Sequence, residues 1–139
     1  MSVSRPIIII EDDLDDQQIL DEAFQELEIK NPLMYFDKCA EVFEYLLNTA
    51  DKPFLILCDV NLPAMNGMEL KKEINKNEIL RKKAIPFVFF TTTANSTAVD
   101  QAYEMMVQGY FEKGSNMTSL VLTLKIIIDY WKLCKHPNN

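Results

Sequence analysis

Basic charge is in short supply in this chain: fourteen lysines and arginines face twenty-one acids, and the formal net charge is −7. A balance of that sign lacks the basic footprint that nucleic-acid binding requires. It leaves instead an acidic surface for a basic partner. Cysteine is scarce as well. Cys39, Cys58 and Cys134 are odd in number and show no CxxC spacing, which argues against a disulfide framework or a zinc site. Cys58 lies inside an apolar run and reads as a small buried hydrophobe. No apolar segment reaches bilayer-spanning length, and the N-terminal MSVSRP has no apolar signal core. We therefore expect a cytoplasmic protein with no membrane or nucleic-acid partner. No glycine-rich loop of the G-x-x-x-x-G-K-S/T kind occurs, so a Walker-type ATP site is excluded. Linkers and low-complexity tracts are missing too. A length of 139 residues, 48% of them hydrophobic, matches one globular domain. The expected domain is 1–139, with a core of about 5–134 and a short polar tail, 135–139.

What is present is an alternation of short apolar runs and amphipathic stretches. Residues 6–10 are Pro followed by four isoleucines, a run of the kind buried on both faces of a sheet. Ile19, Leu20, Ala23, Phe24 and Leu27 then fall at helical spacing, behind acids suited to a helix start. Residues 33–36 form a second strand candidate, and Val42, Phe43, Leu46 and Leu47 mark a second helix. A strand at 54–58 leads into the loop NLPAMNG at 61–67. Met68, Leu70 and Ile74 indicate a third helix, followed by a charged stretch within 71–83. A fourth strand at 87–90, a helix over 97–106, a fifth strand at 109–112 and a last helix from about 118 to 133 complete the order. Five βα units in succession call for a parallel sheet with helices on both faces, because parallel strands need crossover connections.

Four of the apolar runs end on polar residues of different kinds. IIII closes on Glu11, Asp12 and Asp13, FLILC on Asp59, FVFF on Thr91, and GYFE on Lys113. If the runs are neighbouring parallel strands, their C-terminal ends form one crevice, the edge at which such sheets bind ligands. Acids for a hard cation, a carboxylate nucleophile, and a hydroxyl and an ammonium for phosphoryl oxygens make a site for taking up a phosphoryl group.

IIIIEDD, LCDVNLPAMNG, FVFFTT and GYFEKG together resemble the receiver domains of two-component response regulators. The resemblance runs over essentially the whole chain and is closest to bacterial receivers that stand alone. It implies a flavodoxin-like, doubly wound (βα)5 three-layer sandwich with strand order 2-1-3-4-5. It also implies a signalling switch rather than an enzyme, one that assists only its own phosphorylation and dephosphorylation. Asp59 would be the phosphoacceptor. Mg²⁺, or Mn²⁺, would be held by Asp12, Asp59 and the backbone carbonyl of Asn61, with Glu11 acting through water. A slip of one position, to Asp12 and Asp13, is the competing register. Asp15 and Asp16 read as helix-start solvation. Thr91 and Tyr110 would be the switch residues, with Thr91 picked by spacing from the run 91–93, and Lys113 would pair with Asp59 and then with the phosphoryl group. The implied partners are a sensor histidine kinase or histidine phosphotransfer protein and a downstream effector. The chain's own histidine, His136, lies in the polar tail and fits no donor motif.

The chain departs from the family pattern in two places. Gly114 follows Lys113 where the family usually has proline, so we expect a differently shaped or more mobile loop. Thr92 stands where a small residue is usual, and its bulk is expected to narrow access to Asp59. On the last helix, Leu120, Leu124, Ile127 and Trp131 share the face expected to bury, whereas Leu122, Ile126 and Leu133 lie off it. With the fourth helix and fifth strand, that second stripe is a candidate homodimer or effector surface. Two other functions remain open: a pseudo-receiver that no longer takes phosphate, and an Mg²⁺-dependent aspartate phosphatase. The phosphatase typically needs a second aspartate two residues after the nucleophile, and that position holds Asn61.

Overall fold

The computed structural model describes residues 5–60, 62, 65–92 and 95–135. Among these, five strands and six helices follow one another: β1 (Ile7–Ile10), α1 (Leu14–Glu26), β2 (Leu33–Phe36), α2 (Cys39–Asn48), β3 (Leu55–Cys58), α3 (Gly67–Lys76), α4 (Glu78–Lys83), β4 (Phe87–Thr91), α5 (Ser96–Glu104), β5 (Gly109–Glu112) and α6 (Met117–Leu133). The strands form one parallel sheet in the order β2-β1-β3-β4-β5. Fold class, strand order and strand positions agree with the sequence reading.

Strand periodicity builds two cores. Ile8, Ile10, Ile56, Cys58, Phe87 and Phe89 point to one face and pack with residues of α2, α3, α4 and α5. Ile7, Ile9, Leu55, Leu57, Val88 and Phe90 point to the other and pack with α1 and α6. Alternate residues reach opposite faces, so the wholly apolar runs of β1, β3 and β4 are what a doubly covered central strand needs. The edge strands β2 and β5 are only partly buried.

Local polar chemistry sets the helix starts. The Asp13 carboxylate accepts from the backbone N–H groups of Asp15 and Asp16 at 2.9 and 3.1 Å and caps α1. Asn66, Asn77, Asn95 and Asn116 cap α3, α4, α5 and α6 in the same manner. The charged stretch Lys71 to Lys83 is the main difference from expectation. It divides at Asn77, which ends α3 and caps the separate short helix α4, anchored by buried Leu80. Lys71, part of that stretch, is buried on α3; its ammonium donates to Asn75 Oδ1 at 3.0 Å and lies 5.9 Å from the centre of the Phe87 ring. Ile19, expected on the buried face of α1, is exposed, and α5 ends at Glu104 rather than at residue 106.

Candidate phosphoryl-acceptor site

Register carries the four polar residues to one edge. Ile10 pairs with Cys58, Cys58 with Phe89, and Thr91 with Glu112. The next residue after β1 is Glu11, after β3 Asp59 and after β5 Lys113, while Thr91 is the last residue of β4. Backbone bonds continue the pairing past the strand ends: Asp59 N donates to the Ile10 carbonyl at 3.0 Å, Glu11 N to the Phe36 carbonyl at 2.9 Å, and Lys113 N to the Thr91 carbonyl at 2.8 Å. The side chains therefore project from backbone that is still held in the sheet.

Thr91 is fully buried, and its hydroxyl donates to Asp59 Oδ1 at 2.9 Å. The Lys113 ammonium donates to Asp59 Oδ2 at 3.4 Å and forms a hydrogen-bonded ion pair with Glu11 Oε1. Asp16 Oδ2 lies 3.9 Å from the same ammonium. Glu11 is itself fixed: its Oε2 accepts from Asp13 N at 3.3 Å, and its carbonyl accepts from Gln17 Nε2 at 2.6 Å. The Lys113, Glu11 and Asp59 side chains are 11%, 3% and 13% exposed, so the site is largely shielded from water.

The electrostatics follow from three carboxylates around one ammonium. Burial raises the Glu11 pKa above the ordinary carboxylate range; Lys113 opposes that shift and Asp59 adds to it. Burial alone would lower the Lys113 pKa, but the Glu11 hydrogen bond and the charges of Glu11, Asp59 and Asp16 outweigh it and raise the value. Glu11 holds its proton more tightly chiefly because it is buried, and Lys113 does so because carboxylates surround it. The surplus of negative charge, on hard oxygen donors, fits a divalent cation such as Mg²⁺ or Mn²⁺. Among the described residues no three or more His, Cys, Asp or Glu side chains form a ready metal cage. Asp12 is exposed at the rim, and Asn61 lies outside the described residues, as do Thr93 and His136.

Tyr110 is half-buried with its ring centre 5.8 Å from that of Phe89. Thr92 is exposed and lines a crevice of about 310 Å³ together with Lys113, Gly114, Asp16, Ile19 and Met117. All described peptide bonds are trans. Gly114 is explained by close approach: a Cβ there would collide with Ser119 Oγ in the first turn of α6. Three contributors to the site were not expected from sequence. Gln17 supports Glu11, and Gly67 lets α3 approach Asp59. Asp16, read as helix solvation, faces Lys113 from the first turn of α1.

The profile of the response regulator receiver domain matches residues 7–125 of the chain. Response regulator Rcp1 of Synechocystis is 29% identical over 132 residues, spanning 91% of this chain and 88% of its own. The probable methanogenesis regulatory protein FilR2 of Methanothrix harundinacea is 27% identical, spanning 90% and 82%. Among solved structures, the phosphorylated cyanobacterial phytochrome response regulator RcpA superposes with a TM-score of 0.84 at 27% identity, over 97% of this chain and 99% of that one. The Mn²⁺-bound form of Rcp1 gives 0.81 at 28% identity, over 96% and 99%. With this profile spanning most of its length and the strand-end constellation on one sheet edge, the chain belongs to the response regulator receiver domain family.

Proposed function

We propose that this protein is a phosphorylation-operated signalling switch in a two-component phosphorelay, with Asp59 as the phosphoacceptor. The carrying observation is the engagement of both Asp59 oxygens, one by the Thr91 hydroxyl at 2.9 Å and one by the Lys113 ammonium at 3.4 Å, at the end of a buried parallel strand. The donor is a phosphohistidine on a sensor kinase or histidine phosphotransfer protein. An Asp59 oxygen attacks phosphorus, and the P–N bond breaks with its electron pair passing to the imidazole nitrogen. An acyl phosphate results. Water later attacks the phosphorus, releasing phosphate and restoring the carboxylate.

Each neighbour has a task in that sequence. Lys113 supplies positive charge to the phosphoryl oxygens as a flexible point cation. Thr91 turns its hydroxyl from the carboxylate to a phosphoryl oxygen, and Tyr110, packed on Phe89, carries that change to the surface of β5. Asp12, Asp59 and the Asn61 carbonyl would hold Mg²⁺ or Mn²⁺, with Glu11 acting through water. Bound there, the ion would supply charge neutralisation for the transferred group. The capping of α1 by Asp13 supports Asp12 rather than Asp13 as the direct ligand, because Asp13 Oδ1 already accepts from two backbone N–H groups. The Mn²⁺-bound form of the similar Rcp1 supports the binding of a divalent ion.

The catalysis in this reading is confined to the protein's own phosphorylation and dephosphorylation. No described helix is long and apolar enough to cross a membrane, and we place the switch in the cytoplasm. The effect passes to an effector protein, or to a second copy through α5, β5 and α6. One observation favours a pseudo-receiver as a second reading: the Lys113 ammonium pairs more closely with Glu11 than with Asp59. Incubating the protein with Mg²⁺ and acetyl phosphate separates the two. The switch predicts a mass increase of one phosphoryl group that disappears without metal and in Asp59→Asn. A pseudo-receiver takes up nothing, and an aspartate phosphatase instead turns over phosphate esters.

A further inference from the structure

The Lys113 ammonium meets carboxylates from three elements: Glu11 after β1, Asp59 after β3 and Asp16 in the first turn of α1. Glu11 is buried and fixed by backbone and Gln17 contacts. Asp16 differs, because its side chain is 45% exposed. Its backbone is anchored by the Asp13 cap at 3.1 Å, which keeps the α1 turn beside the lysine. Asp16 and Lys113 also line the same crevice, with Thr92 and Gly114 on its wall. Gly114 lets the loop after Lys113 lie against Ser119 at the start of α6, so the crevice stays narrow on that side.

We propose that Asp16 is a positioning residue for Lys113, one that draws the ammonium toward α1 and so restrains its service to a phosphoryl group on Asp59. The inference rests on the reading of Asp59 as phosphoacceptor. Lysine is a flexible point charge with three donors, so its location is set by whichever carboxylates surround it. Every carboxylate other than the acceptor competes for it. Removing the Asp16 charge leaves Glu11 and Asp59 as partners and shifts the ammonium toward the acceptor.

Asp16 has two ways to act, and kinetics tell them apart. A carboxylate at the crevice that merely repels an incoming anionic donor changes the half-saturating donor concentration. One that positions Lys113 changes the rate constant at saturation. The full chain with Mg²⁺ is titrated with acetyl phosphate as wild type, Asp16→Asn and Asp16→Glu, and the Lys113 ammonium resonance is followed by ¹H–¹⁵N NMR, with Lys113→Met providing its assignment. The expected result for Asp16→Asn is a saturating rate constant about threefold higher, the size of a half-exposed ion pair, with half-saturation unchanged. The ammonium resonance moves, and Asp16→Glu restores both. A change confined to half-saturation, or no change in the rate constant, overturns the proposal. If wild type takes up no phosphoryl group, the phosphoacceptor reading fails; the ammonium resonance then still reports on the pairing, and an unmoved signal in Asp16→Asn overturns it as well.

Discussion

Gly67 shows how little room surrounds Asp59 at the end of β3. A Cβ at this position would lie 2.5 Å from Phe89 Cε1, 2.8 Å from Cys58 Sγ and 2.9 Å from the Asp59 carbonyl oxygen. Its backbone angles are ordinary, so the requirement is proximity rather than a special φ. Gly67→Ala must push α3 off β3, and overpacking of this kind costs about 1–3 kcal/mol. Urea unfolding is expected to show that loss, and an unchanged midpoint would mean that α3 sits farther from the strand than described. Asp59, Thr91 and Lys113 could be picked out from sequence because each terminates or follows a short apolar strand in a parallel sheet. Asp12 is separated from Asp13 in the sequence only by register, while in the structure Asp13 Oδ1 takes part in the α1 cap. The roles of Asp16 and Gly67 depend on approach between distant segments, which no local pattern encodes.

Elements were readable in proportion to how strongly burial selected their residues. β1, β3 and β4 bury every side chain, and their apolar runs stand out. Helix α4 is six residues long with one buried anchor, Leu80, and three basic residues in its last turn. It reads as solvated charge. Lys71 belongs to the same charged stretch but is buried on α3, and desolvation lowers its pKa from the ordinary 10.5. The sign of the resulting pH dependence follows. Between the folded value and 10.5 the unfolded chain binds the proton that the folded chain has shed, so this residue's penalty on stability is relieved as pH rises. Wild type is therefore expected to gain stability relative to Lys71→Met between neutrality and pH 10.5, measured by denaturant unfolding of both proteins across the range. A constant difference would place the ammonium in water. Met106 illustrates a boundary that propensity misses: with φ of 63° it leaves the helix in the left-handed region and turns the chain toward β5.

At the scale of the molecule, the two faces of α6 divide the protein's interior from a candidate partner surface. Leu120, Leu124, Ile127 and Ile128 are buried against the sheet, with Trp131 half-buried beside them. Leu122, Ile126, Tyr130 and Leu133 are exposed, and Tyr103 and Met106 near the end of α5 add to the same apolar character. The sequence pattern had separated the two stripes of α6 but had not singled out Tyr130. If this surface joins two copies on phosphorylation, sedimentation with a phosphoryl analogue is expected to give a dimer for wild type and a monomer for Ile126→Glu. Absence of association in every state would remove homodimerisation and leave an effector protein as the partner. In the proposed function these surface events depend on one chemical event, phosphorylation of Asp59. The direct measurement is to phosphorylate the protein with acetyl phosphate and Mg²⁺, reduce the acyl phosphate with borohydride, and map the modified residue by peptide mass spectrometry. The account predicts conversion of Asp59 alone, giving homoserine at position 59. Modification at another acid, or none where related receivers are labelled under the same conditions, would contradict it.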